Sequence, residues 1–174
     1  MQYEPGQTVV HPHHGPCTVT GQLTRTIKGV DVTYLQLHVI RTGMTIAVPL
    51  DKCDEVGVRP VADRETVERL IEVLQAPSDP EEDHWSRRIK ANHDKLMLGD
   101  LMVTAAVARN LARRGMDGHL SNAEKEMLRQ AREPVLGELA EALRLSEDEA
   151  EELFLAAVRG EDVTDRLTEH ARAS

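Results

Sequence analysis

Aromatic side chains are nearly absent: one Trp, two Tyr and one Phe in 174 residues. The interior must therefore be packed with Leu, Val, Ile, Ala and Met, and an aromatic set among charges needs a reason of its own. Cysteine is scarce too, and Cys17 and Cys53, far apart, make no disulfide framework. No apolar run approaches the ~20 residues that cross a bilayer. The opening MQYEPGQTVV lacks a basic segment leading into an apolar one, so no secretory signal is expected. These absences predict a cytoplasmic chain without membrane contact. Also missing are a phosphate-cradling glycine loop, a nucleophile elbow and an HExxH pair, which points away from an enzyme and from any cofactor.

Basic charge is in deficit overall, with a net charge of −9, but the deficit is uneven. Residues 1–60 are neutral, residues 85–132 hold ten Lys/Arg against five Asp/Glu, and residues 134–174 hold four against eleven. A basic block inside an acidic chain keeps nucleic acid open as a partner.

The first sixty residues have the composition of strands. QTVVHP, CTVTGQLT, VTYLQLHVI and MTIAVPL are rich in Val, Thr, Ile and Leu, and HHGP, KG and TG separate them as turns. Four or five short strands in that length predict a small β-barrel of the SH3 or Tudor kind, with Pro49 ending the last long strand. From about residue 63 the period becomes helical. Val67, Leu70, Ile71 and Leu74 form one apolar face before Pro77, and PSDPEED suits a linker and helix start with Pro80 in a first turn. Helices are then expected over 85–98 and from 101 to Gly115. Two more should be capped by Ser121 with Glu124 and by Ser146 with Glu149. Pro134 should kink or split the first of these. The expected fold is α+β in two domains: a barrel over 1–60, an all-α domain over 61–160, and a frayed acidic tail over 161–174.

Three stretches carry possible chemistry. HPHHGPC offers His11, His13, His14 and Cys17 as zinc ligands, against a plain strand and tight turn, and no second cluster completes a site. TRTIKG places Arg25 and Ile27 on one face of a strand, either as an ordinary solvated hairpin or as an edge for β-augmentation. WSRRIKAN sets Trp85 beside Arg87, Arg88 and Lys90, with Lys125, Arg129 and Arg132 on a later helix diluted by Glu124 and Glu126. Such a group can hold phosphates and stack on an unpaired base, or Trp85 can be the largest core residue with solvated cations around it. Its aliphatic neighbours on the helix are few, which favours an indole at least partly exposed.

Taken in order, GQTVVHPHHGPCTV, TRTIKG, YLQL, VGVRPV, VLQAP, WSRRIKAN, LARR and LSNAEKEML resemble the CarD/CdnL family of bacterial transcription regulators over about residues 4–145. The resemblance implies a Tudor-like domain that binds the RNA polymerase β subunit, with Arg25, Ile27 and Ala47 at the contact. It implies a helical domain that contacts promoter DNA at the upstream edge of the transcription bubble. There Trp85 would wedge into the minor groove while Arg87, Arg88, Lys90 and Lys125 hold the backbone, which prolongs the open promoter complex. A monomer without metal is expected. Ala47 stands where relatives often carry a basic residue. Glu126, Pro134 and the acidic extension also depart from the family pattern. Two other readings are a protein-interaction module without productive DNA contact and a metal or redox sensor built on 11–17.

Overall fold

The structure is a computed structural model that describes residues 3–118, 120–165 and 167. Contacts divide the chain into Met1–Val61 and Ala62–Ser174.

The first unit contains β1 (Thr8–His11), β2 (Gly15–Ile27), β3 (Val30–Val39), β4 (Thr45–Pro49), a short 3₁₀ turn, α1 (Cys53–Val56) and β5 (Arg59–Pro60). The strands make one antiparallel sheet in the order β4-β3-β2-β1-β5. Among the described residues no ladder joins β4 to β5, so the sheet is open where a barrel was expected. The closing strand has only two residues, and one of them, Pro60, has no N–H to donate. One face buries Val9, Cys17, Val19, Leu35, Leu37, Val39 and Val48. Tyr34 lies on the other face, opposite Leu23.

β2 changes face partway along. Val19 lies opposite Leu37 on the core side, but a bulge between Val19 and Gly21 brings Gly21 opposite Gln36, on the outer side. Beyond that extra residue, Leu23, Arg25 and Ile27 point away from the core, paired with Tyr34, Val32 and Val30. The two-residue turn at Lys28 and Gly29 has φ of 50° and 79°, the double positive that a tight hairpin of this twist requires.

The second unit packs α2 (Arg64–Gln75), α3 (Trp85–Leu96), α4 (Leu101–Asp117), α5 (Asn122–Leu143) and α6 (Glu147–Val158). Their shared core holds Leu70, Leu74, Ala108, Leu111, Leu139, Leu153 and Phe154. Asp63 and Asp100 cap α2 and α4, and both serine capping boxes are present. Arg113 of α4 donates to the carbonyls of Leu74, Ala76 and Val158, tying down the C-terminal ends of α2 and α6. No helix is long and apolar enough to cross a membrane among the described residues.

The splitting alternative for Pro134 and the helical placing of Pro80 are corrected. Pro134 lies inside α5 without splitting it, because Ala131, Val135 and Leu139 on either side are fully buried and hold both halves to the core. Pro80 lies in the 77–82 segment, which has no regular secondary structure, outside any helix. Of the expected frayed tail, residues 166 and 168–174 lie outside the described residues, while Val163 is buried in the core.

Candidate functional site

α3 has few apolar residues to bury, and its sequence dictates an unusual inner face. Ile89 and Leu96 are half-buried, and the fully buried positions one turn apart are polar: Arg88 and Asn92. A guanidinium in that place must find anions. Arg88 Nε lies 3.1 Å from Glu124 Oε1, its Nη2 lies 3.1 Å from the same oxygen, and its Nη1 donates to the Glu82 carbonyl at 3.0 Å. Glu81 stands 3.8 Å from Arg88 and also pairs with Arg114, whose Nε is 3.4 Å from Glu124. Burial alone would raise the Glu124 carboxyl. Hydrogen bonds from the Ser121 N–H and hydroxyl and from Arg88 outweigh it and hold the group below its ordinary value.

Arg88 is therefore removed from the expected phosphate contacts. It is 7% exposed and its donors are committed inside the protein. Its partner lies 36 residues away, so local sequence gives little sign of the pairing. The extension of the patch along α5 is corrected in the same way. Arg129 is bracketed by Glu126 at 2.6 Å and Glu133 at 2.7 Å, and Arg132 pairs with Glu151 at 2.6 Å. Hydrogen bonds from Arg129 and Gln130 lower the Glu126 carboxyl to about 2. Of the ten cations over 85–132, Arg113 is held by carbonyls without an ion pair, and Arg87, Lys90, Lys95 and Lys125 have neither an ion pair nor a side-chain hydrogen bond among the described residues. Arg87, Lys90 and Lys125 are exposed.

Trp85 is the first residue of α3 and is 51% exposed. The indole N–H donates to Ser121 Oγ at 3.3 Å, which brings the start of α3 against the start of α5. Lys125 follows one turn into α5, its N–H bonded to the Ser121 carbonyl. The half-exposed ring and the free cations Arg87 and Lys90 thus lie along the first half of α3, and Lys125 lies in the first turn of the adjoining α5. Ser121, Glu124, Arg114 and Glu81 were not singled out for this site from sequence, although the capping box already marked Ser121 and Glu124 as a fixed pair.

In the first unit Arg25, Ile27 and Ala47 share the outer face of the sheet, since Ala47 pairs with Gln36 and Arg25 with Val32. All three are exposed, as is Val30 at the hairpin tip. β4 is an edge strand.

At the β1–β2 turn His11 is buried and accepts from the His13 N–H, with the His14 ring centroid 4.8 Å away. Burial first, then repulsion from His14 and His13, lowers its pKa to about 4. Burial pushes the Cys17 thiol up to about 11, the opposite of a reactive cysteine. Among the described residues no three His, Cys, Asp or Glu side chains converge as metal ligands.

The family model described as CarD-like/TRCF RID domain matches residues 3–62, and that of the CarD C-terminal domain matches residues 69–155. The chain belongs to the CarD family. Among CarD-like relatives, the putative transcription factor YdeB of Bacillus subtilis (strain 168) is 26% identical over 137 residues, covering 79% of this chain and 90% of that protein. The solution NMR structure of the 72-residue N-terminal domain of Myxococcus xanthus CarD is 29% identical over 34% of this chain and 79% of its own, with a TM-score of 0.30. Membership in the CarD family supports a transcription-associated, RNA polymerase-interacting factor, in a family that is generally non-enzymatic.

Proposed function

We propose that this protein binds the β subunit of RNA polymerase through a Tudor-like N-terminal domain and stabilises the open promoter complex by contacting DNA at the upstream bubble edge. It acts as a cytoplasmic monomer, drawn to the nucleoid by polymerase. The outer sheet face with Arg25, Ile27 and Ala47 forms the docking surface, beside an edge strand able to extend into a partner sheet. Trp85 inserts at the minor-groove fork while Arg87, Lys90 and Lys125 hold phosphates without reading sequence.

The observation that carries this reading is the only Trp of the chain, half-exposed at a helix end beside unpaired cations. An indole so placed adds little to a core and is suited to stack on a splayed base. Base–aromatic stacking is worth about 1–3 kcal/mol. Trp85→Ala should accordingly shorten the lifetime of open complexes on a native promoter by roughly five- to a hundredfold, with polymerase pull-down retained. A large fall in melting temperature with lost polymerase binding would return Trp85 to a core role.

A second reading, a polymerase-docking interaction module without productive DNA contact, draws support from the internal commitment of Arg88, Arg129 and Arg132. Footprinting of promoter DNA with polymerase separates the two. Protection at the upstream bubble edge that depends on this protein favours the first, and an unchanged footprint favours the second.

A further inference from the structure

A hydroxyl has one proton and two lone pairs, and those of Ser121 are all assigned. The proton goes to Glu124 Oε2 at 2.8 Å, one lone pair accepts the Glu124 N–H at 3.3 Å, and the other accepts the indole N–H of Trp85 at 3.3 Å. Glu124 cannot turn away. Its Oε2 also takes the Ser121 N–H at 2.9 Å, and its Oε1 is held by Arg88. With the hydroxyl proton fixed on an anion, the oxygen presents a lone pair to the ring, and the charge behind it strengthens that acceptor. The chain of contacts runs from buried Arg88 through Glu124 and Ser121 to the exposed indole.

We infer that Ser121 is a positioning residue for Trp85: through Glu124 and Arg88 it holds the exposed indole in one orientation before DNA is met. A half-exposed side chain at a helix end would otherwise sample several rotamers, and freezing them is one of the costs of binding. Among Trp, Tyr and Phe only Trp has an N–H on its ring to be held in this way. The consequence at the promoter rests on the proposed function, whereas the orientation itself does not.

As the only tryptophan, Trp85 is its own reporter. In full-length protein, Ser121→Ala should lower the fluorescence anisotropy of the indole and raise its quenching by acrylamide, and Ser121→Thr should restore both. Because alanine also weakens the α5 cap, Ser121→Gly serves as a second variant, glycine being a tolerated N-cap without a hydroxyl. Circular dichroism at the assay temperature verifies the fold. Unchanged anisotropy and quenching in folded Ser121→Gly would overturn the inference whatever happens at promoters.

The promoter readout is a double-mutant cycle. Ser121→Gly should shorten open-complex lifetime by about fivefold, the factor carried by one net neutral hydrogen bond. In a Trp85→Phe background, where the ring has no N–H, the same change should have no effect. An equal loss in both backgrounds would mean that Ser121 only caps α5, and the inference fails. If Trp85→Ala leaves open-complex lifetime untouched, the DNA contact is what fails, and the fluorescence result still decides the orientation.

Discussion

Arg88→Ala tests whether a residue in the motif proposed to face DNA belongs to the interface or to the interior. Removing one member of a buried ion pair costs about 3–5 kcal/mol, because the remaining charge is left in a poor solvent. Here the remaining charge is Glu124, with a side chain only 3% exposed. It would keep the two Ser121 hydrogen bonds and the Arg114 Nε at 3.4 Å. That compensation places the expected loss at the low end, about 3 kcal/mol. For a unit of this size about 4 °C is lost per kcal/mol, so the helical transition should fall by roughly 12 °C. Urea or thermal melts followed by far-UV dichroism measure it. Arg88→Ala with Glu124→Ala should lose less than the sum of the two single changes, with coupling of about 2 kcal/mol. If instead Arg88→Ala melts within about 3 °C of the parent and lowers the salt slope of the promoter effect by about one unit, Arg88 is a phosphate contact and the ion-pair argument is refuted.

Other outcomes follow from the same geometry. Lys90→Ala and Lys125→Ala should each lower the salt slope of the effect on promoter complexes by about one unit, and Arg129→Ala, already neutralised by Glu126 and Glu133, should leave it unchanged. Arg25→Glu should weaken polymerase binding by about 1–3 kcal/mol in pull-down or titration, and Ala47→Arg, on the same sheet face, should strengthen it. His11 titrates at about 4 in the folded state against 6.5 ordinarily, so the unfolded chain takes up the proton first as pH falls. Its contribution is present above pH 6.5 and is lost progressively down to about pH 4. His11→Gln should flatten that part of the stability–pH curve of the first unit.

The features legible in the sequence were those fixed over a few residues. Ser121 with Glu124 and Ser146 with Glu149 read as capping boxes because a serine and a glutamate three apart can satisfy each other's backbone donors locally. The exposure of Trp85 was legible from the scarcity of aliphatic neighbours on its helix. The bulge near Thr20 was not, because CTVTGQLTRTI continues its alternation through the extra residue. Alternation still placed Arg25 with Ile27, but only the bulge turns them toward Ala47 and away from Val19. Arg88 was misread because its partner lies on another helix. One signal was present: a twelve-residue helix with so few apolar side chains must present something polar to the bundle. That α5 runs unsplit through Pro134 was not legible, because buried neighbours on both sides, and not the proline alone, decide whether the helix continues.

Those corrections bear on how weakly this chain can grip DNA and still act in the proposed function. With Arg88, Arg113, Arg129 and Arg132 committed within the protein, the cations of the basic block without an ion pair or side-chain hydrogen bond among the described residues are Arg87, Lys90, Lys95 and Lys125, in a chain of net charge −9. So few phosphate contacts, opposed by that charge, give little affinity for free duplex at physiological salt. Docking on polymerase changes the requirement. A tethered module meets its site at an effective concentration in the millimolar range, so a contact too weak to detect in solution is occupied in the complex. What shifts the promoter is the difference in affinity between closed and open DNA, and an indole that stacks only where bases are splayed adds to that difference beside the phosphate contacts made at the open fork. A tenfold longer lifetime needs about 1.4 kcal/mol of preference, within the reach of one indole stacked where bases are already splayed. The cations can therefore be few, provided the indole is held ready, and the ion pairs that remove Arg88 from the surface are the ones that fix Glu124 behind Ser121.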